Sequence, residues 1–424
     1  MITTVKNEQL GESCEIYTHR SGIKIYVSKK PGYSSSYAIF GTRYGSIDTC
    51  FKRSDKDEFT TVPEGIAHYL EHKLFESEDG DAFTRYAKTG AMANAFTSFD
   101  RTCYLFSCSS NFEESLKILL DFVQHPYFTE ETVQKEQGII GQEISMYDDS
   151  APWRVLFNLL GLMYHNHPVK IDIAGTHESI AQINAELLYE CYNTFYNLNN
   201  MFICIAGDVD VERVFAICDE MLKNSEPVEI ERADFSEPYE CVDKYKEITL
   251  PVAMPIFAIG YKERCLNPQR SVKERCSAEI LQKIIFGTDS ALYKKLLDMG
   301  LINSSFGTEY FFGHGYASVI VEGESKDPKT VHRLVNEEIE RIRREGISDD
   351  DYSAALRCIY GRIVSAYNSV ENTAMSMVDA AFLGEGVYDE FDCIRTITKE
   401  DVNECFNNMF DVENSALSVV MPKN

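Results

Sequence analysis

The order of apolar and polar residues predicts short strands and amphipathic helices that follow one another along the chain. Residues 23–27 and 37–42 alternate apolar with polar positions, which is typical of paired strands. Residues 94–108 are rich in aromatic and β-branched side chains and are predicted to form a strand. Apolar residues recur at helical spacing in three further segments, which are predicted helices: 65–75, 116–125 and 130–147, the last with Thr129 as its cap.

The second half of the chain repeats the pattern of the first. Residues 183–209 and 397–423 each predict a helix followed by a strand. The repeat predicts two similar α+β domains, each a largely antiparallel sheet packed with helices. The residues that align at one constant offset are Glu190 with Glu404, Cys191 with Cys405 and Asn200 with Asn414.

Length and composition agree with two globular domains. The chain has 424 residues, and a single core usually stops growing at about 250–300 residues. Residues 224–245 are rich in charges and contain two prolines, as is typical of a linker. We therefore predict an N-terminal domain of residues 1–223 and a C-terminal domain of residues 246–424.

Charge and cysteine content narrow the class of function. The formal net charge of −26 disfavours a nucleic-acid partner, because such binding needs a basic surface. No run of 18 apolar residues predicts a membrane span, and the first ten residues lack a signal-peptide pattern. Thirteen scattered cysteines without a C-x-x-C motif favour reduced thiols. We expect a cytoplasmic protein without a membrane partner.

The most specific chemical signal is the sequence H-x-x-E-H at residues 68–72, within the first predicted helix. His68 and His72 are four residues apart, so both imidazoles lie on one face of the helix and can bind one zinc ion. Glu71 points to the same face and can serve as a general base. The motif therefore predicts a zinc-dependent hydrolase with one metal ion per chain, although Mn²⁺ or Co²⁺ would also suit such ligands.

A catalytic zinc ion usually has three protein ligands and one open position. Glu136 and Glu143 lie seven residues apart, on one face of a predicted helix, and either carboxylate can supply the third ligand. Spacing alone leaves both open. In the second repeat, Glu279, Gln282 and Lys283 stand in place of the motif residues, so that copy is predicted to bind no metal.

Along nearly its whole length the chain resembles the M16 family of zinc peptidases, the pitrilysin and insulinase type also called inverzincins. The likeness is greatest to short bacterial members of about 45 kDa, in particular predicted peptidases of Gram-positive bacteria. It rests on the motif, the glutamate pair and the repeated domain. The segments that carry it are 45–46, 65–75, 94–97, 136–143, 175–176, 200–201 and 207–208.

The resemblance implies a role for each matching residue in a metalloendopeptidase. His68, His72 and Glu143 would bind zinc, Glu136 would support the site from behind, and Glu71 would be the general base. The segment Asn94, Ala95, Phe96 and Thr97 would bind substrate peptide at a sheet edge, where backbone hydrogen bonds select extended chains. The competing interpretation of this segment is an ordinary core strand with Phe96 buried.

The chain departs from the family pattern in its C-terminal repeat. Members usually carry an arginine and a tyrosine there, in a run such as L-R-x-x-x-G-x-x-Y, and residues 296–302 contain neither. Such groups stabilise the developing oxyanion. The resemblance thus implies a heterodimer in which a related chain supplies them and short or unfolded peptides are cleaved within a chamber; a homodimer is less favoured. The alternative functions are a dedicated peptide-maturation or modification-pathway protein, or a non-catalytic peptide-binding subunit.

Overall fold

The computed structural model describes residues 1–78, 80–224, 226–264 and 269–423. The chain forms two compact units, and each unit is built from three segments. The first unit contains Met1–Ile144, Asp172–Asp234 and Val364–Asp389. The second unit contains Ser145–Ile171, Phe235–Ile363 and Glu390–Asn424.

Short strands and helices follow one another along the chain, as the hydrophobic pattern predicts. The strands are β1 (Ile2–Asn7), β2 (Glu12–Thr18), β3 (Lys24–Lys29), β4 (Ser36–Thr42), β5 (Cys50–Arg53), β6 (Thr60–Thr61), β7 (Glu76–Ser77), β8 (Gly80–Asp81), β9 (Met92–Thr97), β10 (Thr102–Cys108), β11 (Met201–Gly207), β12 (Ile230–Arg232), β13 (Tyr245–Leu250), β14 (Ile256–Lys262), β15 (Gly307–Gly313), β16 (Tyr316–Glu324) and β17 (Ser415–Pro422). The helices are α1 (Ile66–Leu74), α2 (Ala82–Thr89), α3 (Phe112–Gln124), α4 (Glu130–Asp148), α5 (Ala151–Met163), α6 (His177–Ile180), α7 (Ala185–Phe195), α8 (Val211–Met221), α9 (Val272–Phe286), α10 (Ala291–Asp298), α11 (Pro328–Glu345), α12 (Asp349–Ala366), α13 (Val370–Leu383), α14 (Asp389–Thr396) and α15 (Lys399–Met409).

A seven-stranded sheet in the order β1-β2-β3-β11-β4-β10-β9 forms the centre of the first unit. The prediction that 23–27 and 37–42 pair with each other is wrong, because β11 lies between β3 and β4. β11 is parallel to β3 and antiparallel to β4, and all of its residues are buried. β11, which begins at residue 201, thus lies in the middle of a sheet whose other strands come from earlier in the sequence.

The segment 94–108 is not a single strand, as its composition suggested, but a hairpin. β9 and β10 pair antiparallel, with Thr97 opposite Thr102. The turn is closed by the N–H of Ser98, which donates to the carbonyl of Arg101 (2.8 Å). Within the part of the chain that the structure describes, β9 is the last strand of its sheet and has one free edge.

The second unit has a five-stranded sheet in the order β13-β17-β14-β16-β15. β17 is parallel to β13 and antiparallel to β14, as β11 is to β3 and β4. The remaining pairings, β14 with β16 and β16 with β15, are antiparallel in the same way as β4 with β10 and β10 with β9. The same pairing pattern in both sheets confirms the prediction of two similar α+β domains.

Each sheet is covered by a helix from the other half of the sequence. α13 packs on β11 and β4 in the first unit, and α5 packs on β17 and β14 in the second. Within the charged segment 224–245, β12 pairs with β5 and so belongs to the first unit. The boundaries drawn at residues 223 and 246 stay a prediction. In the described part of the chain, no helix is both long enough and apolar enough to cross a membrane.

Candidate metal centre

α1 carries the H-x-x-E-H motif, and its start is held by close backbone packing. Gly65 caps the helix with a φ of 85°, and a Cβ atom there would lie 2.4 Å from the carbonyl oxygen of Ala174. Gly175 makes the reciprocal approach to Glu64, since its Cβ would lie 2.5 Å from that carbonyl oxygen. Only glycine meets both requirements at these two positions, so the contact fixes where the motif begins.

The two histidines of the motif lie side by side on α1. Their ring centroids are 4.6 Å apart. His68 is 8% exposed, and His72 is half-buried. Tyr69 and Leu70 are completely buried. The helix thus holds a pair of imidazoles on one face and hydrophobic core residues on another.

α4 places the carboxylate of Glu143 beside both imidazoles. Its oxygens lie 3.7 Å from Nε2 of His68 and 3.5 Å from Nε2 of His72. One ligand atom from each of the three residues lies within 4.8 Å of the others. Tetrahedral zinc with ordinary bond lengths separates its ligand atoms by about 3.3 Å. Two imidazole nitrogens and a carboxylate group this close together fit the ligand set of a zinc ion.

Glu136, the other candidate for the third ligand, lies on the opposite side of His72. Its carboxylate accepts a hydrogen bond from Nδ1 of His72 (3.0 Å). This bond leaves the Nε2 lone pair of His72 directed at Glu143, as metal-binding imidazoles require. The structure therefore distinguishes the two glutamates that spacing left open: Glu143 faces both Nε2 atoms, and Glu136 orients one of the rings.

Burial and charge shift the pKa values at this site in opposite directions. Burial lowers the pKa of His68 to about 4 and so keeps its imidazole neutral and able to bind metal. Burial acts in the same sense on His72, but the hydrogen bond to Glu136 and the nearby carboxylates outweigh it and raise its pKa. Burial would raise the pKa of Glu136, yet the same hydrogen bond to His72 lowers it.

Glu71 is buried beside the candidate metal ligands and is hydrogen-bonded to β9. The hydroxyl of Thr97 donates to its carboxylate (2.6 Å). Burial raises the pKa of Glu71, against the opposing effect of that hydrogen bond. A carboxylate with a raised pKa is a stronger base. This contact places Thr97 where it orients the Glu71 carboxylate, which the sequence did not indicate.

The remaining residues of the predicted peptide-binding segment lie on the edge strand β9. Asn94 is exposed, and Ala95 and Phe96 are half-buried, so a strand with Phe96 fully buried is not what the fold contains. Asn94 and Ala95 line a cavity of about 610 Å³ together with Glu71 and His72. The edge strand and the candidate metal site thus share one cavity.

The corresponding helix of the second unit, α9, has different chemistry. Glu279, in place of His68, forms an ion pair with Arg362. Lys283, in place of His72, pairs with Asp289 (2.6 Å), and Gln282 is buried. Within the described ranges, His68, His72 and Glu143 are the one group of three or more potential ligands close enough to hold a metal ion.

The chain matches two domain descriptions in sequence order. Residues 60–177 match “Insulinase (Peptidase family M16)”, and residues 182–357 match “Peptidase M16 inactive domain”. A relative from Bacillus subtilis (strain 168), named “Uncharacterized zinc protease YmfH”, is 40% identical over the full length of both chains. The chain belongs to peptidase family M16. Its helix with H-x-x-E-H lies in the insulinase match, and α9 lies in the inactive-domain match.

Solved structures of similar proteins share the fold. A putative M16-like peptidase from Alicyclobacillus acidocaldarius is 33% identical, with a TM-score of 0.93 over 97% of this chain and 99% of that chain. A protease from Helicobacter pylori is 18% identical, with a TM-score of 0.83 over 96% of this chain and 99% of that chain, which shows a common fold alone. The α+β architecture with two similar domains is therefore that of M16 peptidases.

Proposed function

We propose that this chain is a zinc-dependent endopeptidase that cleaves short or unfolded peptides. The observation that carries the proposal is the convergence of His68, His72 and Glu143 on one point, with Glu71 buried on the same helix. Bound zinc would supply Lewis acidity to polarise a peptide carbonyl and to acidify water. The names of the curated relatives support zinc as the metal, as does the His₂Glu set of donors.

The residues around the site would divide the work of peptide hydrolysis. Glu71 would take a proton from the attacking water and later deliver it to the leaving amine. Thr97 would hold the Glu71 carboxylate through its hydroxyl, and Glu136 would hold the imidazole of His72. The free edge of β9 would align the substrate backbone next to these groups.

Two substitutions test the proposal. Glu71→Gln keeps an acceptor for Thr97 but cannot accept a proton, so zinc content should stay at one per chain while peptide turnover falls to background. His72→Ala should lose zinc as well, as measured by elemental analysis. Glu131→Gln, an exposed change on α4, is the matched control and should alter neither quantity. Turnover retained in Glu71→Gln would remove Glu71 from the role of base.

The chain is proposed to act with a related chain rather than alone. In support, residues 296–302, at the end of α10, contain neither arginine nor tyrosine. Oxyanion-stabilising donors are commonly worth a factor of about 10²–10³ in rate. A heterodimer in which this chain carries the metal, and a related M16 chain the missing donors, would enclose peptides in a complete chamber.

A further inference from the structure

The cavity beside the candidate metal centre has a wall whose chemistry is independent of the metal. Phe75 and Phe83 are stacked on each other, with ring centroids 4.4 Å apart and an interplanar angle of 13°. Both rings line the cavity, as does Ile139 of α4. Phe83 is 47% exposed and Ile139 is 48% exposed. An apolar surface open to water next to Glu71 and His72 is suited to the stem of a substrate side chain.

The β7–β8 hairpin adds a negatively charged rim to the same cavity. Glu76, Glu78 and Asp81 all line it. Glu76 does not contribute a free charge, because it forms an ion pair with the completely buried Lys73. Among the described residues no cation forms an ion pair with Glu78 or Asp81, although Asp81 also caps α2 by accepting the N–H of Phe83 (2.7 Å).

Among the described residues that line the cavity, one lysine opposes the rim. Lys135 of α4 lines the cavity beside Glu136, whose pKa it helps to lower. The carboxylates of Glu71 and Glu136 are engaged with Thr97 and His72. The two carboxylates of Glu78 and Asp81 are therefore available to a ligand, against the single ammonium group of Lys135. This balance of charge favours the binding of a cation in the cavity.

From this combination we infer that the cavity selects a lysine or arginine side chain on the substrate residue next to the scissile bond. Such a side chain lays an apolar stem against Phe83, whose ring stacks on the buried Phe75, and places its charged end at Glu78 and Asp81. This inference rests on the proposed function, because it assigns a specificity to the same site.

Matched peptides test the cavity directly. Two peptides would differ at one position only, lysine in one and its uncharged counterpart norleucine in the other, with the position moved along the peptide and cleavage sites mapped by mass spectrometry. The zinc-loaded chain should cleave next to lysine with a kcat/KM at least about fivefold above that for norleucine, the size expected for partly screened charge pairs. Equal values, or a preference for an aromatic residue at that position, would overturn the inference.

Three variants assign the preference to named charges. Glu78→Gln with Asp81→Asn removes both charges, while the introduced asparagine side chain can still cap α2, and the lysine-to-norleucine ratio should fall to near one. Lys135→Gln should raise the ratio. Asp57→Asn with Glu58→Gln makes the same change of charge at two exposed residues that do not line the cavity, and should leave the ratio unaltered. A fall of equal size in this control would attribute the effect to overall charge and contradict the inference.

A binding measurement separates this inference from the proposed function. In the Glu71→Gln background, peptide affinity can be measured without turnover, and the lysine peptide should bind more tightly than the norleucine peptide. If the wild-type chain cleaves nothing, either alone or mixed with a related M16 chain, but the affinity difference is present, the proposed function fails and the cavity assignment stands. If peptides are cleaved without such a difference, the reverse holds.

Discussion

At the residue scale, the two glutamates of α4 differ in what they contact, and the difference predicts unequal effects on zinc affinity. Glu136 contacts Nδ1 of His72, whereas Glu143 faces Nε2 of both histidines. Removing a partner that orients a ligand typically costs 10–100-fold in metal affinity. We expect Glu136→Gln to weaken zinc binding by about that factor and Glu143→Gln to weaken it more.

Competition with a chelator of known affinity measures the zinc affinity of both variants, and Glu131→Gln is the control on the same helix. Equal losses in the two variants would contradict the assignment of different roles to Glu136 and Glu143.

A histidine in the second unit predicts how stability depends on pH. His167 is 3% exposed, and each ring nitrogen has a partner: Nε2 donates to the carbonyl of His314 (3.0 Å), and Nδ1 accepts the N–H of Val169 (3.1 Å). Burial lowers its pKa to about 4. The unfolded chain therefore binds more protons between pH 6.5 and 4, so the stability contributed by neutral His167 is complete above pH 6.5 and is lost as the pH falls through this window.

His167→Asn tests this dependence, because asparagine can still accept the N–H of Val169 but does not titrate. The drop in unfolding free energy between pH 7 and pH 5 should be smaller in the variant by about 2 kcal/mol. Trp153, the single tryptophan, lies in the same unit, so its fluorescence during urea unfolding reports this transition. An unchanged pH dependence would show that His167 is not responsible.

For individual residues, the sequence alone predicts relative placement where chemistry and spacing coincide. The motif at residues 68–72 defines its own geometry because a helix fixes which residues share a face. Spacing could not choose between Glu136 and Glu143, because both lie on one face of α4. Only tertiary packing shows which of them contacts Nδ1 of His72 and which faces its Nε2. The contact of Thr97 with Glu71 joins a strand to a helix that are distant in sequence, and no local signal marks it.

At the element scale, β9 is the edge strand to which a substrate peptide is proposed to pair. Pairing of this kind predicts which amides of the peptide are needed for binding. An added strand exchanges hydrogen bonds only through alternate residues, because successive N–H groups point to opposite sides. In the Glu71→Gln background, N-methylation at every second position of a bound peptide should weaken affinity by about three- to tenfold per site. Methylation at the intervening positions should have little effect, and the two sets serve as controls for each other.

Titration of such peptides by fluorescence anisotropy gives the affinities. Losses that do not alternate along the peptide would argue against recognition by strand addition to β9.

The elements that the hydrophobic pattern predicted well are those with strong local signals. α1, α4, α7 and β11 all occur near the expected residues, and Thr129 accepts the N–H of Thr132 at the start of α4 as predicted. The errors concern pairing and turns. Residues 98–101 form a tight turn without glycine or proline, so composition gave no reason to divide 94–108 into two strands.

At the scale of the whole molecule, the two halves of the sequence share a topology but not a chemistry. Both sheets have the same order and pairing directions over five strands. In place of His68, however, the second unit has Glu279, which forms an ion pair with Arg362. Each unit also includes a helix from the other half of the chain. A sequence repeat can reveal the shared topology. It cannot show that α5 packs on the sheet of the second unit and α13 on the sheet of the first, because these contacts depend on tertiary packing.

The absence of arginine and tyrosine from residues 296–302 predicts that this chain is less active alone than when mixed with a related chain. If a related chain supplies these donors, the purified chain should bind one zinc ion yet cleave peptides at least about a hundredfold more slowly than its mixture with that partner. The measurement is kcat/KM with and without a co-expressed M16 chain that lacks H-x-x-E-H but carries the arginine and tyrosine. Substituting that arginine in the partner should abolish the gain, whereas Glu71→Gln in this chain should abolish activity of the mixture altogether. Equal rates for the lone chain and the mixture would mean that this chain stabilises the oxyanion with groups of its own.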